Sequence, residues 1–255
     1  MQPDTAGLLA LDGDTEFDFL YRQYAEWRRF RSLIPLKRHM NVLEYGCGAG
    51  RWALLIGPHV HRVIAVDYSE EMIRLARQRQ QQTGLDGRVE FVTASATEFT
   101  SDLKFDLIYF SSVLQYLDDN DCRQTIRNAV SMLAPCGIMI DRSTCSAPNR
   151  KHFNDNSYQA IYRTKEELES TFADFNFKVT YHRQSYPRRR LPGRLLVRPR
   201  VVAGLASCMR GFPALSYGLI RMISVLLNSL RPIPKKASAP FRSHDFFRYE
   251  LTKSG

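Results

Sequence analysis

Short apolar runs alternate along the chain with stretches of helical periodicity. Phe17, Leu20, Tyr21, Tyr24, Trp27 and Phe30 recur at helical spacing and predict an amphipathic helix over Phe17–Leu33. After it, Val42–Tyr45 reads as a strand running into a glycine-rich turn, and Arg51–Ile56 as a short helix. Arg62–Val66 is a second strand, Glu70–Gln81 a helix, Val89–Val92 a third strand and Phe105–Phe110 a fourth. Asn120–Leu133 is a helix closed by Ala134-Pro135-Cys136-Gly137, before a fifth strand at Ile138–Ile140. Thr164 followed by Glu167 is a capping box, opening a helix to about Phe172. Phe177–Tyr181 and Phe246–Leu251 are the sixth and seventh strands. Strands alternating with helices predict an α/β fold, a mostly parallel sheet covered on both faces. The near-continuous apolar character of the fourth strand fits burial on both sides.

Charge changes the picture in one place. The chain has 255 residues and a net charge of +10. Arg183–Arg242 holds 13 Lys or Arg and no acidic residue, leaving 23 basic against 26 acidic elsewhere. Within Pro187–Pro240, arginines at 188, 189, 190, 194, 198 and 200 precede an apolar stretch from Val201 to Leu230. Tyr217, Arg221, Ser224, Asn228 and Arg231 share one helical face there; Leu215, Leu219, Met222, Ile223, Leu226, Leu227 and Leu230 line the other. Three readings stay open: an interfacial helix on an anionic membrane, a cap whose arginines bind a phosphorylated substrate, or an RNA contact. The apolar face disfavours nucleic acid. Arg221 in mid-segment makes a spanning helix costly.

The five cysteines are scattered, with no C-x-x-C pair, and read as small apolar residues; no metal site is expected. Residues 1–15 read as a mobile tail without secretory signal character, which places the chain in the cytoplasm, with peripheral membrane association expected of the basic segment.

Candidate chemistry centres on Glu44-Tyr45-Gly46-Cys47-Gly48-Ala49-Gly50. Alternating glycines between a strand and a helix let the backbone turn sharply and approach a ligand. The spacing G-x-G-x-G is neither the dinucleotide fingerprint nor a P-loop. A side chain at Gly48 is expected to crowd this turn. Asp67 follows the second strand, where a carboxylate can accept both ribose hydroxyl protons, and Met72 lies one helical turn on, able to pack on an adenine.

These residues resemble the class I S-adenosylmethionine-dependent methyltransferases, over roughly Phe17–Tyr181 and Phe246–Leu251. The resemblance implies a Rossmann-like seven-stranded sheet with S-adenosyl-L-methionine as cofactor. Glu44, Gly46, Gly48 and Gly50 match the turn that holds the methionine part, and Asp67 the ribose-binding acid. Ser95 stands where the family has an adenine-binding Asp, leaving that contact to Ser95 or the Ala96 backbone. Phe105–Leu117 matches the fourth strand and the loop beneath the methyl group, which brings Ser111 to the cofactor. The N-terminal helix matches a lid, with Tyr24, Tyr21 or Arg28 toward the cofactor carboxylate; ordinary core packing is the other reading.

The motif of amino-methylating DNA enzymes is missing from the loop after the fourth strand, as is a Pro-Cys nucleophile. An oxygen on a small-molecule, natural-product, glycan or lipid-linked acceptor is the expected target. Tyr116, Asp141 and His152 are the candidate catalytic residues, each with a structural or substrate-contact reading beside it. The expected organisation is residues 16–186 as the methyltransferase domain, 187–240 as a basic helical insertion, and 241–255 as the last strand. A soluble enzyme with the insertion as pocket cap, and a cofactor-binding adaptor without turnover, are the alternatives.

Overall fold

The computed structural model describes residues 16–154, 159–184, 204, 207–208, 210–216, 218–219, 222 and 241–252. The predicted tail at 1–15, and most of the insertion's helix beyond Met222, lie outside them. The chain divides into two compact units, residues 1–32 with 185–239, and residues 33–184 with 240–255.

The larger unit holds one seven-stranded sheet. Its strands are β1 (Asn41–Tyr45), β2 (Arg62–Asp67), β3 (Val89–Thr93), β4 (Phe105–Ser111), β5 (Leu133–Ala147), β8 (Phe177–Gln184) and β9 (Phe241–Leu251). They lie in the order β3-β2-β1-β4-β5-β9-β8. The pairs from β3 to β5 are parallel, and β9 runs antiparallel to both β5 and β8. The chain order reverses between β1 and β4, so the carboxyl ends of those strands flank the crevice where open α/β sheets bind ligands.

Alternation along the strands sorts side chains to two faces. On one, Leu43, Tyr45, Ile108, Phe110, Met139, Phe247 and Tyr249 pack with α4 (Asp119–Met132) and α5 (Lys165–Ala173). Tyr45 stacks on Phe110 at 5.5 Å and Phe172 on Tyr249 at 3.7 Å. On the other, Trp52 of α2 (Arg51–Ile56) meets Tyr109 and Phe246 edge-on at 5.3 and 6.0 Å.

The predicted capping box is present. Thr164 Oγ1 accepts the Glu167 N–H at 3.2 Å and Glu167 Oε2 accepts the Thr164 N–H at 2.8 Å. The fifth strand is much longer than expected, because β9 pairs with it continuously from Met139 to Ala147. At its other end β5 begins at Leu133, and the expected turn residues Ala134–Gly137 fall where its register against β4 shifts, between the Phe105–Leu133 and Leu107–Ile138 pairs. After β5 comes an antiparallel hairpin of β6 (Lys151–Asn154) and β7 (Gln159–Tyr162).

In the smaller unit, α1 (Glu16–Leu33) forms where the apolar spacing predicted it. Trp27 stacks on Phe30 at 5.9 Å, and the Arg31 guanidinium lies over Trp27 at 5.6 Å.

Candidate cofactor and acceptor site

The turn after β1 is held against the end of β2. Val66 O accepts the N–H groups of Gly46 and Cys47 at 2.8 and 3.0 Å. Asp67 Oδ2 accepts the Gly48 N–H at 2.8 Å, and its Oδ1 accepts the Ser69 N–H at 3.0 Å. Asp67 thus fixes the turn and the start of α3 (Glu70–Gln80) while each oxygen keeps lone-pair capacity for another donor. Ser69 caps α3 by accepting the Met72 N–H at 3.3 Å, which sets half-buried Met72 in the first turn. Arg79 Nη1 reaches back to Ala49 O at 3.0 Å.

The three glycines differ in what a side chain would meet. All have positive φ: 71°, 51° and 80° at Gly46, Gly48 and Gly50. A Cβ at Gly46 would lie 2.9 Å from Val113 Cβ, and one at Gly50 would lie 2.7 Å from Phe91 Cζ. At Gly48 nothing stands within 4 Å. The expectation that a side chain there would crowd the turn is corrected: the turn itself has room, and the space beside it is open.

Glu44 sits beneath this turn with no exposure. Neither carboxylate oxygen has a partner in hydrogen-bonding geometry, although Ser111, the Ala53 amide and Arg51 lie near enough to favour its charge. Burial outweighs them and pushes its pKa up to about 8. A buried carboxylate without partners is costly and is relieved by a cationic donor. An amino group such as that of S-adenosyl-L-methionine supplies one, and the open side of Gly48 gives such a ligand space. The residues present fit this cofactor.

After β3, Ser95 Oγ accepts the Thr97 N–H at 3.3 Å and shares a 2.7 Å hydrogen bond with Thr97 Oγ1. Ser95 therefore shapes its own turn, with half-buried Ala96 beside it.

The loop after β4 is the most tightly fixed part of the site, by residues the sequence reading left unassigned. Ser112 adopts φ 62° and accepts a hydrogen bond from the Arg142 guanidinium. Gln115 Oε1 accepts the Thr144 N–H at 2.9 Å. Buried Arg163 donates to Leu114 O at 2.7 Å, Leu117 O at 2.9 Å and Asp119 Oδ1 at 2.7 Å. Its backbone carbonyl accepts the Ser146 N–H at 3.1 Å, joining β5 to the hairpin. The one signal that could have found Arg163 was its place directly before the capping box.

The three catalytic candidates differ in exposure. Tyr116 is exposed, in the 3₁₀ turn Leu114–Tyr116. His152 is exposed on the β6–β7 hairpin. Asp141 is wholly buried in β5, where its Oδ1 accepts the Ser143 hydroxyl at 2.8 Å and burial pushes its pKa up to about 7. Tyr24 lies on α1 in the other unit, and its cofactor contact stays an expectation from sequence. Among the described residues no group of His, Cys, Asp or Glu is arranged to hold a metal.

A profile described as a methyltransferase domain matches residues 42–137. Nodulation protein S of Sinorhizobium fredii is 34% identical over 152 residues, covering 53% of this chain and 69% of that protein. The tRNA 5-carboxymethoxyuridine methyltransferase of Escherichia coli is 31% identical over 102 residues, covering 39% of this chain and 38% of the relative. In fold, the chain is similar to the 1,6-didemethyltoxoflavin-N1-methyltransferase of Burkholderia thailandensis, solved with S-adenosylhomocysteine. The TM-score is 0.55 at 20% identity, over 65% of this chain and 71% of that one. The chain belongs to the class I S-adenosylmethionine-dependent methyltransferases. It is an enzyme, and its cofactor is S-adenosyl-L-methionine. Among the described residues no helix is long and apolar enough to cross a membrane.

Proposed function

We propose that this methyltransferase O-methylates a small glycan, natural-product or lipid-linked acceptor at a membrane surface. When bound, S-adenosyl-L-methionine supplies an electrophilic methyl group, so the protein's task is chiefly alignment. Glu44 meets the cofactor's amino group. Gly46, Gly48 and Gly50 let the backbone approach it, and Asp67 takes the ribose. Met72, Ser95 and Ala96 flank the adenine, and Ser111 lies under the methionine part.

The cofactor assignment rests on the wholly buried carboxylate of Glu44, whose oxygens have no hydrogen-bond partner, in the strand that runs into the Gly46–Gly50 turn. For the acceptor, the fixed loop at Ser111–Leu117 presents hydroxyls and one exposed phenol, Tyr116, which orients an acceptor hydroxyl by hydrogen bonding. Wholly buried Asp141 does not suit direct proton abstraction, and His152 is retained as a base only where the hairpin meets the acceptor. The apolar, acid-free segment from Arg183 to Arg242 supports the surface placement.

Incubation with methyl-labelled cofactor and separate lipid, glycan and tRNA fractions tests the reading. Label in a lipid or glycan fraction, stable to conditions that release methyl esters, is expected. Label in tRNA alone, or on nitrogen, overturns the acceptor assignment while leaving the cofactor site intact. Label only in soluble metabolites favours the second reading, a soluble enzyme with the insertion as pocket cap.

A further inference from the structure

The described residues between Gly204 and Met222 are helical apart from Phe212, whose N–H still bonds to Cys208 O at 2.8 Å and whose carbonyl accepts the Ser216 N–H at 3.0 Å. Pro213 occupies the first position of the renewed helix, where its missing N–H costs nothing. Along this stretch Phe212, Leu215, Leu219 and Met222 are 70%, 74%, 51% and 63% exposed. Their spacings of three, four and three place them within an arc of roughly 80° at 3.6 residues per turn. Only three other large apolar side chains are exposed among the described residues, Tyr68, Tyr116 and Leu251. Among the described residues one helical face thus carries four of the seven exposed large apolar side chains, and such a concentration marks a binding surface.

The charge of the surrounding sequence selects the occupant. Arg183–Arg242 carries 13 Lys or Arg and no Asp or Glu. A protein partner for an apolar helix face does not require that a run of this length exclude every acid. An anionic bilayer favours it: basic side chains gain from phosphate headgroups, and each acid would be repelled. Apolar residues on one side and basic residues around them are the composition of a helix that lies in the interface plane.

We propose that the helical face formed by Phe212, Leu215, Leu219 and Met222 inserts into the headgroup boundary of an anionic lipid bilayer, with the basic residues of the same segment against the phosphates. This deepens the surface placement proposed above and does not depend on which atom is methylated.

The test uses the full chain with vesicles of phosphatidylcholine alone and of phosphatidylcholine with phosphatidylglycerol, read by co-sedimentation at low and high salt. Binding is expected to the anionic vesicles only, and to weaken with salt. Leu215→Ser and Leu219→Ser should each weaken it roughly five- to thirtyfold. Both leucines are exposed, so cofactor affinity measured by calorimetry should stay unchanged and report an intact fold. The proposal is overturned by absent binding, by equal binding to neutral vesicles, or by a Phe212→Ser/Leu215→Ser/Leu219→Ser variant that binds as well as the parent. It is also overturned if mass photometry shows a dimer that these substitutions dissociate, since the face then belongs to a second copy. Vesicle binding without a methylated lipid or glycan would leave the docking surface standing and remove the acceptor assignment.

Discussion

Replacing each glycine of the turn by alanine separates packing from ligand binding. All three positions have positive φ, and a side chain there costs about 1–2 kcal/mol in backbone conformation. At Gly48 nothing adds to that, because a Cβ meets nothing within 4 Å. At Gly50 the Cβ falls 2.7 Å from Phe91 Cζ and 3.0 Å from Ala76 Cβ, both buried. Overpacking of this kind adds about 1–3 kcal/mol. A chain of this size loses roughly 2–4 °C in Tm per kcal/mol. Gly50→Ala should therefore melt about 4–20 °C below the parent, and Gly48→Ala only about 2–8 °C below. Cofactor binding should rank the other way, since the methyl group at position 48 enters the space assigned to the ligand. A loss of tenfold or more in affinity is expected for Gly48→Ala, larger for Gly48→Asp, which adds a negative charge near Glu44 and Asp67. Differential scanning fluorimetry and titration calorimetry read the two quantities. If Gly48→Ala binds S-adenosylhomocysteine like the parent, the open space is not the ligand's. If Gly50→Ala is as stable as the parent, the steric argument fails.

Burial raises Glu44 to about 8 and Asp141 to about 7, so the folded protein holds protons that the unfolded chain releases in the ordinary carboxylate range. Stability without cofactor should thus fall as pH rises from about 4.5 to about 8, and Glu44→Gln should be more stable than the parent at pH 8 but not at pH 4.5; urea midpoints that differ equally at both pH values would refute this. Arg163→Met leaves two carbonyls and Asp119 without their shared donor; a loss of about 3 kcal/mol or more is expected, with faster hydrogen exchange at 113–118. Thr164→Ala removes one half of the capping box and should cost about 1 kcal/mol by thermal denaturation, with cofactor affinity unchanged.

Local patterns carried most of the fold. Short, largely apolar runs at Val42–Tyr45 and Phe105–Phe110 alternating with helical patterns pointed to strands buried on both faces, and Gly46, Gly48 and Gly50 between a strand and a helix marked the ligand turn. Thr164 and Glu167 announced a helix start because both halves of that cap lie within four residues. What depended on distant pairing was not legible. The length of β5 is set by β9, about a hundred residues away, whose strand supplies the hydrogen bonds that carry Arg142–Ala147 beyond the predicted end. Asp141, a catalytic candidate by its place after the fifth strand, is wholly buried in β5. The place of Arg163 before the capping box gave no hint of its partners, since the carbonyls it holds belong to a loop nearly fifty residues earlier. The sequence also could not rank its three glycines: Gly50 is required by Phe91 and Ala76, whereas Gly48 faces open space. Spacing along a chain records which backbone conformations are needed, and only the folded packing decides which atoms stand opposite them.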